Sequence, residues 1–295
     1  MNKIELNNQI MYHFAYPALE EILNNQVVVI KGVPLSILAY SNTFSRKSND
    51  IDLLVSKHDI KYIESILKQN GFEQRIKENH RKERVFCMSN SHQIFPYIKK
   101  VNSYEITIDI NFDIFWGEYE GKRIDLEEFL SDFIYVEIYG KKIKTLPPLK
   151  AMVQLILHNY KDLNSIFLIA TRKTIDVCGF KDIYYLLKNN KEELSINNLY
   201  AICEKYEILP YAFYMLYYTN LIFEDDDLKK YVDAFKNNAG LKLLNQYGLN
   251  ENERKEWNTD FKTRLFSDDL LHFIQKDLST KDFEKIKLNK RYFGS

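Results

Sequence analysis

The tightest constraint on this chain lies in residues 27–55, VVVIKGVPLSILAYSNTFSRKSNDIDLLV. A short β-branched run ends in Lys31-Gly32. Pro34 suits the first turn of a helix, and Leu35, Leu38 and Ala39 give that helix an apolar face. Arg46-x-Ser48-Asn49-Asp50-Ile51-Asp52 then opens a second apolar run, 51–55. Side chains alternate along a strand, so Asp50 and Asp52 share one face. Like charges held that close repel, and a shared proton or a divalent cation relieves them. The order strand, Gly, helix, strand with paired acids reads as a site for phosphate and Mg²⁺, the helix amides being suited to phosphate.

Such chemistry needs a third acid. Two metal ions about 3.5–4 Å apart must bridge nucleophile, phosphate and leaving group. The best source is Tyr104-Glu105-Ile106-Thr107-Ile108-Asp109-Ile110-Asn111-Phe112-Asp113-Ile114-Phe115-Trp116. Glu105, Thr107, Asp109, Asn111 and Asp113 fall on one face of this strand, and an apolar set falls on the other. Asp109 is preferred because it sits mid-strand, where backbone pairing fixes its direction; Asp113 is the reserve. Lys31, at a strand end, is placed to neutralise phosphate, and Arg46 to bind it through its planar fork.

The 295 residues suggest two domains, and the pattern changes near Leu146-Pro147-Pro148. Over 1–146, strands and helices mix. A helix is expected within 58–70 with Gly71 as its stop, strand-like segments at 84–88, 93–98 and 104–115, and a hairpin around Tyr139-Gly140-Lys141. Over 147–295 the signal is almost wholly helical, notably in 149–160, 180–188, 209–223 and 228–235. Glu224-Asp225-Asp226-Asp227 reads as an acidic helix start rather than a metal site. This is an α+β head with a helical tail.

Lys+Arg and Asp+Glu both number 41, so net charge gives no support to a nucleic-acid partner. Lys141, Lys142 and Lys144 are the best candidate basic patch, with a solvated edge hairpin as the plain alternative. No apolar run approaches the roughly 20 residues that span a bilayer, and the first residues lack a signal-peptide core. Cys87, Cys178 and Cys203 lack metal spacing and read as small reduced core residues of a cytoplasmic protein. His58 reads as a surface or cap residue, His158 as a core or interdomain histidine, and most of the 21 Tyr and 19 Phe as packing.

Several motifs in order now carry a family likeness. Lys31-Gly32-x-x-Leu35, Arg46-x-Ser48-x-Asp50-Ile51-Asp52-Leu53-Leu54-Val55, Leu67-x-x-x-Gly71-Phe72, Ile108-Asp109-Ile110-Asn111 and Phe115-Trp116 resemble the uncharacterised bacterial nucleotidyltransferase family. That family belongs to the DNA polymerase β-like nucleotidyltransferase superfamily, whose abortive-infection toxins share the G-x-x-L and R-x-S-x-D-x-D elements. The resemblance implies a polymerase β-like head, a mixed sheet with flanking helices, followed by a helical domain that closes over an acceptor. It implies Asp50, Asp52 and Asp109 as catalytic metal ligands, and Lys31, Gly32, Arg46 and Ser48 as nucleotide-binding residues. The implied cofactor is Mg²⁺, two ions, with Mn²⁺ as a substitute. The implied reaction moves an NMP from an NTP such as ATP to an acceptor hydroxyl. A small-molecule acceptor is preferred, ahead of tRNA and of a silent nucleotide-binding scaffold. Two departures stand out. Gly32-Val33 replaces the usual Gly-Ser or Gly-Gly, leaving Ser36 or Ser48 to offer the hydroxyl, and Asn111 replaces a His, so no proton can shuttle there.

Overall fold

The computed structural model describes residues 2–75 and 80–293. Seven strands form one mixed sheet: β1 (Val27–Ile30), β2 (Ile51–Val55), β3 (Glu73–Gln74), β4 (Tyr97–Val101), β5 (Tyr104–Asn111), β6 (Ile134–Ile138) and β7 (Lys141–Thr145). Their order is β3-β4-β5-β2-β1-β7-β6. The β2–β5 and β1–β7 pairs are parallel, and the remaining neighbours are antiparallel.

One face of the sheet is covered by α1 (Lys3–Ile22) and α3 (Ile60–Gln69). Met11, Ala15, Leu19 and Ile22 of α1 and Ile63, Ile66 and Leu67 of α3 are buried there with Val27, Val29, Leu53, Ile106, Ile108 and Ile110. The two-residue strand period then turns Asp52, Asp109 and Asn111 to the opposite face. α1 starts at Asn2, whose side chain accepts the Ile4 N–H at 3.1 Å. α2 (Gly32–Tyr40) links β1 to β2, and its C-terminal carbonyls are held by Asn189 and Asn190, which donate to Ala39 O at 2.6 Å and Leu38 O at 3.0 Å.

The hairpin at residues 139–140 is present, with Tyr139 and Gly140 both at positive φ between Ile138 and Lys141. The segment expected as a strand at 84–88 instead lies inside a helix, α4 (His80–Asn90). Its β-branched and aromatic content is a weak prior that tertiary contacts override. Arg84 pairs with the buried Glu64 of α3 at 2.5 Å, and Tyr97 donates to the same carboxylate at 3.0 Å. Of the expected strand 93–98, only Gln93 bridges to Asn111 before β4 begins.

The chain divides into two compact units. One comprises residues 1–118, 122–154 and 185–198; the other comprises 119–121, 155–184 and 199–295. The second is helical apart from a small ribbon, Gln246–Tyr247 against Lys255–Glu256. Its central helix, Leu209–Phe223, buries Tyr211, Phe213, Tyr214, Met215, Leu216 and Tyr218. Tyr160 packs on Tyr211 and Tyr214, with ring centroids 4.5 and 5.1 Å away, so these aromatics serve packing as expected. Asp225 caps the helix Asp226–Phe235 by accepting the Asp227 and Leu228 N–H groups, which accounts for the acidic run.

Candidate active site

Three strands converge on the acids. β1 and β2 pair with Ile30 opposite Asp52, and β2 and β5 pair with Asp52 opposite Asp109. Asp50 stands two residues before Asp52, just ahead of β2, close enough that its charge acts on Asp109 and that of Asp52 acts on it. Lys31 follows β1 directly and places its Nζ 3.3 Å from Asp52 Oδ1. Asn111 Nδ2 donates to the same oxygen at 3.2 Å and to Leu53 O at 3.2 Å. Asn111 therefore holds the Asp52 carboxylate in place.

The electrostatics are those of crowded anions. Burial, and then the neighbouring Asp52 and Asp50, push the Asp109 carboxyl up to about 7 against the pull of Lys31 and Arg75. Burial and Asp52 likewise raise Asp50, opposed by Lys31 and Arg46. Hard carboxylate oxygens around excess negative charge are the donor chemistry of Mg²⁺ or Mn²⁺. Among the described residues no three His, Cys, Asp or Glu side chains already converge as a metal cage. Asp52 Oδ1 is instead engaged by Lys31 and Asn111. The donors fit the metal in kind and charge, without being closed on one point.

The segment 41–50, which delivers Arg46, Ser48 and Asp50, has no regular structure and is tied down from outside. Asn8, buried in α1, donates to Thr43 O at 2.9 Å and Arg46 O at 3.4 Å, and Asn7 donates to Ser48 O at 3.2 Å. The Arg46 N–H donates to Ser36 Oγ at 3.3 Å, and Ser48 Oγ donates to Asp50 O at 2.7 Å. Both hydroxyls considered for phosphate contact are thus engaged in shaping this loop. Gly32 has φ +47°, and a Cβ there would stand 2.7 Å from Ser48 Oγ, so both conformation and space favour glycine. Asn7 and Asn8 carry no local signal in the sequence, because their partners are remote backbone carbonyls.

Asp113 lies beyond the end of β5 and is buried. It accepts the Phe115 N–H at 3.0 Å and pairs with Arg123, which also donates to Gly117 O at 2.8 Å. Its surroundings are those of a structural anchor. The basic patch at the hairpin is corrected. Lys144 is buried, donates to Asn25 O at 2.6 Å and lies 4.1 Å from the Phe133 ring, with its ammonium pKa pulled down by burial. Lys141 and Lys142, at the hairpin end of the same strand, are exposed, so the burial of Lys144 comes from its remote partners, which charge counting cannot foresee. His58 is exposed just ahead of α3. His158 belongs to an ion cluster on Asp162 that also includes Lys161 and Arg172. Cys87 and Cys203 are buried as expected, whereas Cys178 is exposed.

By architecture this is an α+β protein whose seven-stranded mixed sheet presents aligned carboxylates beside a Lys-Gly turn. The chain belongs to the uncharacterised nucleotidyltransferase family, whose model matches residues 7–224. That span contains every candidate residue of the site. Comparison with curated proteins finds no match. Among solved structures it is similar to an antigenic nucleotidyltransferase-like protein from Paracoccidioides brasiliensis, at 15% identity and a TM-score of 0.40 over 77% of this chain and 93% of that one. Among the described residues no helix is long and apolar enough to cross a membrane.

Proposed function

We propose that this protein is a nucleotidyltransferase of the polymerase β-like type, moving an NMP from an NTP to an acceptor hydroxyl and releasing pyrophosphate. The observation that carries the reading is the register of β2 and β5, which sets Asp109 beside Asp52 with Asp50 two residues away. These three acids are the donors for Mg²⁺, two ions, or Mn²⁺. Bound there, the metal would neutralise charge on the α-phosphate and the leaving pyrophosphate.

The chain's own residues do the rest. The Lys31 ammonium and the Arg46 guanidinium bind the phosphate chain, and Gly32 lets the backbone come close to it. Ser48 fixes the Asp50 backbone through its 2.7 Å hydrogen bond, and so the direction of the carboxylate. Asp109 takes the proton of the acceptor hydroxyl on a carboxylate oxygen. Asn111 cannot titrate and serves by holding Asp52.

A small-molecule acceptor is preferred. Net charge is zero, and the hairpin patch loses Lys144 to the interior. The test is incubation of pure protein with each α-labelled NTP, Mg²⁺ or Mn²⁺, and either the small-molecule fraction of a cell extract or total tRNA. The expected result is label in a small product, lost in Asp50→Asn and Asp52→Asn with the circular dichroism spectrum unchanged. Label in a tRNA-sized band would reassign the acceptor. NTP binding without any transfer under all conditions would make the protein a nucleotide-binding scaffold instead.

A further inference from the structure

Lys31 occupies an uncommon position. Its backbone has φ 56° and ψ −150°, a conformation that L-residues rarely adopt and that persists only where the fold imposes it. It sits at the junction of β1 and α2, and its ammonium lies 3.3 Å from Asp52 Oδ1, with both side chains about nine-tenths buried. Asn111 approaches the same oxygen at 3.2 Å. The ammonium also lowers the energy of the charged forms of Asp50 and Asp109. One lysine therefore answers all three acids at once, although a bare backbone could have made the turn with a second glycine at no steric cost.

We infer that Lys31 is an exchangeable counter-ion: a divalent cation binding at Asp52 displaces its ammonium, and the freed ammonium is taken up by the phosphate chain of the nucleotide. This rests on the proposed metal-dependent reading of the site. The reasoning is electrostatic. An ammonium and a divalent cation compete for one carboxylate oxygen, and two positive charges a few ångströms apart in a poorly hydrated site repel by several-fold more than in water. A displaced ammonium so near the head of α2 needs a new anion, and phosphate at a helix N-terminus is the anion that place suits. Metal entry and nucleotide entry are then coupled through Lys31, beyond any direct bond between metal and phosphate. By linkage each favours the other to the same degree.

The experiment uses the full chain and two binding measurements made without turnover. Mn²⁺ alone is titrated and followed by electron paramagnetic resonance, and NTP is titrated without acceptor, once in EDTA and once at saturating Mn²⁺. Lys31→Met keeps the stem and the backbone strain while removing the charge. It is expected to bind Mn²⁺ about tenfold more tightly, because a competitor at this distance is gone, and to bind NTP more weakly at saturating Mn²⁺, with a smaller change in EDTA. These opposite shifts separate the roles. A purely structural lysine would weaken both, and a simple phosphate ligand would weaken only the NTP. Either pattern overturns the inference. Asp52→Asn is the control for the underlying reading. If it loses Mn²⁺ while Lys31→Met matches the wild type, only the Lys31 exchange fails. If the wild type and Lys31→Met both ignore millimolar Mn²⁺, the metal reading fails and takes the exchange with it. Should Lys31→Met not fold, Lys31→Gln gives the same reading.

Discussion

Asp52 and Asp109 lie directly opposite one another on two parallel strands, β2 and β5. Asp52 helps keep Asp109 from being an ordinary surface acid. Asp52 is buried, and Asp109 is pushed up to about 7 by burial and by the two neighbouring carboxylates. The fold thus maintains a local excess of negative charge that a solvated acidic pair would not have.

Asp109 and Asp113 are expected to separate cleanly on substitution. Asp109→Ala should reduce single-turnover transfer by about a thousandfold, in line with removal of a group that stabilises the transition state, with no loss of thermal stability. Asp113→Ala breaks a buried contact to Arg123 and to the Phe115 N–H. It should cost about 1–3 kcal/mol of stability and leave most of the transfer rate. Quench-flow rates alongside melting curves would reverse the assignment if Asp113→Ala proved the dead variant and Asp109→Ala the unstable one.

The raised Asp109 carboxyl makes stability depend on pH. Its folded value of about 7 lies above the ordinary 3.8. The folded state therefore binds the proton more tightly than the unfolded chain does. That contribution is fully present below about pH 4 and disappears as pH rises through 7. Asp109→Asn has no such loss, so in EDTA at pH 8 it should melt several degrees above the wild type, an effect on the order of 2 kcal/mol. At pH 4 the two should nearly coincide. Equal differences at both pH values would contradict this account.

Gly32→Ala combines two faults, a Cβ at φ +47° and a contact 2.7 Å from Ser48 Oγ. Destabilisation of about 1–3 kcal/mol is expected. The pair Gly32→Ala with Ser48→Ala should recover part of it, since the steric fault is gone while the backbone strain remains. A double-mutant cycle in urea with no coupling between the two positions would show that the contact is immaterial.

Salt dependence tests the acceptor. A tRNA acceptor would engage several Lys and Arg side chains, giving a log–log slope near minus one per contact. With Lys144 buried against Asn25 O and Phe133, a shallow slope for the KM of the acceptor is expected, and Lys142→Ala should leave it unchanged. A steep slope that flattens in Lys142→Ala would restore the hairpin as an RNA-binding element.

Much of the sheet side of the site was legible in the sequence, because strand alternation is a local and strict rule. Asp52 before Leu53-Leu54-Val55, and Asp109 among Ile106, Ile108 and Ile110, declare their faces residue by residue, whereas Asp50 lies just ahead of β2, where alternation does not apply. The rest lacked local signals. α4 was hidden by the strand-like composition of 84–88, and the reach of Arg84 to Glu64 is a long-range contact with no local signal. The hold of Asn7 and Asn8 on the 41–50 segment depends on carbonyls far along the chain. Lys144 looked like its neighbours Lys141 and Lys142, yet all three lie on β7: the first two are exposed at the hairpin end, and Lys144, further along, reaches Asn25 O and the Phe133 ring.

The isoleucine face of β5 has a consequence for the opposite face. Ile106, Ile108 and Ile110 are locked into the core against α1 and α3. A slip of β5 by one residue would drive those side chains out and bring Asp109 and Asn111 in, at a prohibitive cost in buried charge. The oily side of the sheet is thus the gauge by which the polar side is aligned. A cavity-forming change such as Ile108→Ala, made on the far side of the strand from any carboxylate, loosens the instrument that sets the distance between Asp52 and Asp109.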